Sequence, residues 1–120
     1  MHIPMNKALV CQIDADVSAH LKQEMKRYGW SIDACDGMLE MLRLLETNDY
    51  DLVVLNATAR NVEIHTRLGA IKALDKNPRI ILNLAESENY MPSSLIIEFP
   101  VIKGTLTTAK LLDAVHEIPG

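Results

Sequence analysis

The chain has 120 residues, 48% of them apolar and 23% charged, with a formal net charge of −4 at pH 7. A chain of that length buries roughly 65% of its unfolded surface, so one domain with its own core is expected, needing neither disulfides nor a structural metal. Its 12 Lys and Arg residues are scattered and only 4% of residues are aromatic, which argues against a basic face for nucleic acid and against a stacking platform for bases. No apolar stretch approaches the roughly eighteen residues of a membrane span. The opening MHIPMNKALV has neither the apolar segment nor the small-residue cleavage site of a secretory leader. A cytoplasmic domain is the expectation.

Apolar runs and helical patterns alternate along the chain. Ala8-Leu9-Val10-Cys11-Gln12-Ile13 is short and mostly apolar, as expected of a strand buried on both faces. Val17, Leu21, Met25 and Tyr28 then recur at helical spacing, with Asp14 or Asp16 as cap and Gly29 as terminator. Trp30 to Cys35 reads as a second strand, and Asp36-Gly37 opens a helix whose inner face is Met38, Met41, Leu42 and Leu45.

Asp51 to Leu55 is the clearest strand, with β-branched residues between polar ends. Ile64, Leu68, Ile71 and Leu74 form a third helix face, stopped by Asn77-Pro78. Arg79 to Leu84 and Leu95 to Glu98 read as the fourth and fifth strands. The segment Glu86 to Pro92 between them leaves room for only a short fourth helix. A closing helix carries Leu111, Leu112, Val115 and Ile118, capped by Thr105, Thr107 or Thr108. Strict alternation with short connections predicts an α/β fold: a doubly wound, five-stranded parallel sheet covered by helices on both sides, with a shortened fourth helix.

In such a sheet, chemistry sits at the carboxyl ends of the strands. Those ends offer Gln12, Ile13, Asp14 and Asp16 after the first strand, Asn56 after the third, Leu84 after the fourth and Phe99-Pro100 after the fifth. No Gly-rich phosphate loop, nucleophile–base pair or metal-ligand spacing of the four His residues is found there. Asp14 and Asp16 suit helix capping at least as well as Mg²⁺. Cys11 and Cys35, each inside an apolar run, read as buried reduced thiols.

The alternation, the Tyr28-Gly29-Trp30 end of the first helix, the approach Tyr50-Asp51-Leu52-Val53-Val54-Leu55 and the closing Lys110-Leu111-Leu112-Asp113-Ala114-Val115 resemble the CheY-like receiver domains of two-component response regulators. The resemblance covers about Lys7 to Glu117 and implies the flavodoxin-like, CheY-like (βα)5 form of the α/β fold. It implies a phosphoacceptor Asp ending the third strand, two acids after the first strand for Mg²⁺, a Thr or Ser ending the fourth and a Lys-Pro ending the fifth.

Matched residue by residue, Asn56 stands at the phosphoacceptor position. Gln12 and Ile13 stand at the acid pair, with Asp14 one place late. Leu84 (or Asn83) takes the Thr/Ser position, and Phe99, or the nearby Lys103, the Lys position. The expectation is one receiver-like domain over residues 1–120, part of or excised from a larger signalling protein. It is expected to be a degenerate receiver (a pseudo-receiver) without cofactor, metal or enzymatic activity. Its partners would be another signalling protein or adjoining domain, such as a histidine kinase or transcription regulator, or a second copy of itself, with neither nucleic acid nor membrane bound. The rival readings are an atypical phosphoacceptor using Asp14 or Asp16 with Mg²⁺, a Cys11 phosphocarrier, and a small-molecule sensor in the crevice left by the missing acids.

Overall fold

The computed structural model describes residues 6–57, 63–84 and 99–117. In chain order these form β1 (Asn6–Cys11), α1 (Ala15–Met25), β2 (Trp30–Cys35), α2 (Met38–Thr47), β3 (Leu52–Asn56), α3 (Glu63–Ala73), β4 (Arg79–Leu84), β5 (Val101–Lys103) and α4 (Thr108–Glu117). All five strands are parallel, in the order β2-β1-β3-β4-β5. The winding therefore reverses between β1 and β3, and a crevice is expected at their carboxyl ends.

Strand alternation divides the core into two layers. Leu9, Cys11, Val53, Leu55 and Leu82 pack with Met41 and Leu45 of α2 and Ile64, Leu68 and Ile71 of α3. Ala8, Val10, Leu52, Val54 and Ile81 pack with Leu21 and Met25 of α1 and Leu111 and Ala114 of α4. Because helices cover both faces, Ala8 through Cys11 are buried without interruption, which is why β1 reads as a continuous apolar run rather than an alternating one.

The helix ends follow from local chemistry. The Asp14 carboxylate Oδ1 accepts from the backbone N–H groups of Asp16 (2.9 Å) and Val17 (3.2 Å), so Asp14 is the cap of α1. A 3-10 turn, Lys26–Tyr28, continues that helix and ends at Gly29 in the left-handed region (φ 80°). Within this turn Tyr28 swings outward and is exposed, contrary to its expected place on the inner face. Thr107, of the three candidate threonines, caps α4 by accepting from Lys110 N–H at 3.2 Å.

The expected fifth strand at Leu95–Glu98 and the short helix at Glu86–Pro92 lie outside the described residues. The strand that pairs with β4 as the fifth of the sheet is Val101–Lys103, with Leu82 opposite Val101 and Leu84 opposite Lys103. Three residues directly after a proline give little strand signal, and the run Leu95-Ile96-Ile97, apolar throughout, outweighs them on hydropathy alone.

Candidate functional site

The carboxyl ends of β1, β3, β4 and β5 open onto a cleft of about 290 Å³. Ile13, Asp14 and Val17 wall one side, Gly104, Thr105 and Leu106 the other, and Asn56 and Asn83 stand between them. The two asparagines are register partners on β3 and β4, and so face the same side of the sheet.

Asn56 ends β3, as expected from the sequence. Its Nδ2 donates to the Gln12 carbonyl at 2.9 Å, tying the end of β3 to the chain just beyond β1. Gln12 has φ 59°, the one non-glycine among the described residues in the left-handed region. That conformation costs about 1–2 kcal/mol. Two bonds hold it in place: the Gln12 N–H donates to the Cys35 carbonyl at 2.9 Å and its own carbonyl accepts from Asn56. Asn83 spends both Nδ2 hydrogens on carbonyls of the neighbouring strand region, Ile102 (3.0 Å) and Gly104 (2.9 Å). Gly104 is left-handed (φ 80°), and its N–H donates to the Leu84 carbonyl at 2.8 Å, closing the turn after β5. Amide donors and backbone acceptors thus occupy the centre of the cleft.

The other sequence candidates fall in different places. Asp14 borders the cleft but is exposed and caps α1, while Asp16 is exposed on the first turn of α1 and does not line the cleft. Ile13 lines the cleft as an apolar wall. Leu84 is buried in the α2/α3 layer, and it is Asn83 that faces Asn56. Phe99 precedes β5, with the Lys72 ammonium 5.9 Å from its ring. Lys103 is the residue that ends the fifth strand, and it is exposed. Strand alternation around Asn83, and the Lys-Gly pair closing β5, were the sequence signals for these two positions.

Magnesium requires several oxygen ligands, usually with one or two carboxylates among them. Among the described residues Asp14 is the one carboxylate bordering the cleft, and one of its oxygens serves the helix cap. Asn56 turns its N–H toward a carbonyl, and Ile13 supplies no ligand. Among the described residues no cluster of three or more His, Cys, Asp or Glu gathers anywhere. These residues do not fit a magnesium ion.

Arg67 of α3, absent from the sequence reading, is buried; its guanidinium donates to the Asp36 carbonyl at 2.8 Å and so braces the end of β2 from the α2/α3 side. Spacing alone did not mark it, because a polar residue on an amphipathic helix is normally read as solvent-facing. Cys11 and Cys35 are both free and buried, in agreement with the sequence reading, and they are register partners on β1 and β2. A phosphocarrier thiol at Cys11 does not suit a side chain with no exposed surface.

No family model matches the sequence, and no curated protein matches it. Solved structures do. A chain in the complex of the histidine kinase ThkA with the response regulator protein TrrA is 24% identical, with 94% of this chain and 97% of that chain covered and a TM-score of 0.73. A CheY-like response regulator receiver domain from Methylobacillus flagellatus is 14% identical over 97% of this chain and 100% of that one, with a TM-score of 0.74. The inactive form of the regulatory domain of the repressor of iron transport regulator RitR is 13% identical over 92% of each chain, again at 0.74. Five parallel strands in one sheet, covered by helices, superpose on these neighbours over more than nine-tenths of the chain: the fold of this chain is that of the CheY-like receiver domains.

Proposed function

We propose that this chain is a receiver-type domain of two-component signalling that acts by docking, without phosphoryl transfer. The observation that carries the reading is the Asn56 amide bonded to the Gln12 carbonyl at 2.9 Å. A phosphoacceptor needs a carboxylate free to attack and a cation to neutralise the incoming phosphoryl oxygens. At this strand end there is instead a neutral amide used as a donor, flanked by Ile13 and Asn83. An uncompensated dianion beside Ile13 would also be costly to desolvate. The output face is therefore constitutive or set by a partner, since a ligand shifts a conformational equilibrium only through differential affinity for its states.

The partner is a signalling protein or an adjoining domain, with a histidine kinase or a transcription regulator as the leading class. The similarity to a chain from a kinase–regulator complex supports this assignment. A cytoplasmic location is consistent with the absence, among the described residues, of any helix long and apolar enough to cross a membrane.

Incubation with acetyl phosphate and Mg²⁺, read by intact mass, tests the reading. The expected spectrum is that of the unmodified chain, and beryllofluoride with Mg²⁺ leaves the amide NMR spectrum unchanged. A phosphoryl adduct that disappears on Asp14→Ala or Asp16→Ala would replace this reading with that of an atypical phosphoacceptor.

A further inference from the structure

The pairing of β1 with β2 brings together two thiols that are 24 positions apart in sequence. Cys11 and Cys35 are opposite each other in register, and their Sγ atoms are 3.5 Å apart. A disulfide requires about 2.05 Å, so roughly 1.5 Å of closure separates the reduced pair from a bond. That movement is available because β2 is an edge strand, with β1 as its one strand partner among the described residues.

The two residues also differ in access. Cys11 has no exposed surface, whereas Cys35 is 5% exposed and lines a groove of about 350 Å³ between α1 and β2, beside Ala15, Ala19, Ala34 and Glu40. Three alanines keep that groove open to a molecule the size of a peroxide.

We propose that Cys11 and Cys35 are an oxidation site, a dithiol in which Cys35 reacts with hydrogen peroxide and Cys11 resolves the product to an intramolecular disulfide. The Cys35 thiolate sulfur attacks one peroxide oxygen. An S–O bond forms, the O–O bond breaks, and the departing hydroxide takes a proton to become water, leaving Cys35 as a sulfenic acid. The Cys11 sulfur then attacks the Cys35 sulfur; the S–S bond forms, the S–O bond breaks, and hydroxide leaves with the Cys11 proton as a second water. Peroxide gains two electrons and each thiol gives one.

The polarity of the pair supports this division of roles. The contact with Cys35, followed by burial, pushes the Cys11 thiol far above its ordinary range, so Cys11 keeps its proton. The contact with Cys11 outweighs burial and the nearby Glu40 carboxylate at Cys35, which is pulled below its ordinary value. The less enclosed residue is thus the one whose thiol is pulled down.

The bond would act directly on the cleft. Gln12 follows Cys11, its N–H is held by the Cys35 carbonyl, and its carbonyl takes the Asn56 amide. Closing the sulfurs draws on both ends of that chain of bonds, giving the domain an input that needs no phosphoryl group.

The test treats the full chain, reduced and freed of metals by a chelator, with hydrogen peroxide. The expected product has lost two hydrogens by intact mass. A non-reducing digest yields Cys11 and Cys35 in linked peptides, dithiothreitol restores the starting mass, and the Asn56 side-chain amide signals shift in the NMR spectrum. In Cys11→Ser, a sulfenic acid on Cys35 is trapped by dimedone. Two results would overturn the proposal: thiols that remain fully alkylatable after peroxide, or oxidation that ends in intermolecular dimers or sulfinic acid without the linkage of Cys11 to Cys35. The digest of the unsubstituted chain decides the matter even where a variant fails to fold. Its outcome is independent of the acetyl phosphate experiment.

Discussion

At the end of β3, the chemistry of one side chain sets the limits of the site. The Asn56 Nδ2 donates to Gln12 and helps to hold that residue at φ 59°. Asn56→Asp removes the donor and sets a carboxylate oxygen against a carbonyl, leaving a part-buried acceptor unsatisfied. The expected loss is about 1–3 kcal/mol of stability in urea denaturation. Gln12 and Ile13 still provide no acid for a cation, so the variant is also expected to remain unphosphorylated by acetyl phosphate.

Tyr50 gives a second prediction at this scale. Its hydroxyl donates to the Asp33 carboxylate at 2.7 Å, and burial followed by that bond raises the phenol above its ordinary 10.0. A folded value raised above the unfolded one contributes stability that is complete below pH 10.0 and is lost as pH rises, because the unfolded phenol ionises first. The stability gap between the native chain and Tyr50→Phe should therefore shrink above pH 10.0, as read from denaturation midpoints across the alkaline range.

Among the elements, caps and edges decide what can be read from sequence. Asp14 bonds two N–H groups at the start of α1, so Asp14→Ala should cost about 1 kcal/mol by thermal or urea unfolding. Asp16 makes no comparable bond through its side chain among those described, and its loss should cost less. β1, β3 and β4 were legible because burial on both faces forces near-continuous apolar runs, and β2, at one edge, because buried Trp30 and Ile32 alternate with half-buried Ser31 and Asp33. β5, at the other edge, was not, because only three residues form it and one of them is buried; Val101, Ile102 and Lys103 are half-buried, buried and exposed in turn. For the candidate site, position along the strands was legible: Asn56 closes β3, and Gln12 and Ile13 follow directly on β1. The choice between Leu84 and Asn83 opposite Asn56, and the meeting of Cys11 with Cys35, both depend on strand register, which a single sequence does not state.

For the molecule as a whole, the two apolar layers share the same strands, so neither can lose its packing alone. Trp30 belongs to the α1/α4 layer and Tyr50 to the α2/α3 layer. Unfolding followed by the fluorescence of Trp30, the single tryptophan, should coincide with unfolding followed by near-ultraviolet tyrosine circular dichroism. Separate midpoints would mean that the layers are independent units.

A receiver with a full acid cluster holds like charges close together and stores repulsion that a divalent ion relieves, which is one way functional sites keep a fold above its lowest energy. At the corresponding end of this sheet Asn56 and Gln12 meet as a donor and an acceptor. Such a pair braces the strand ends as a strut, where a cluster of acids would load them as a spring.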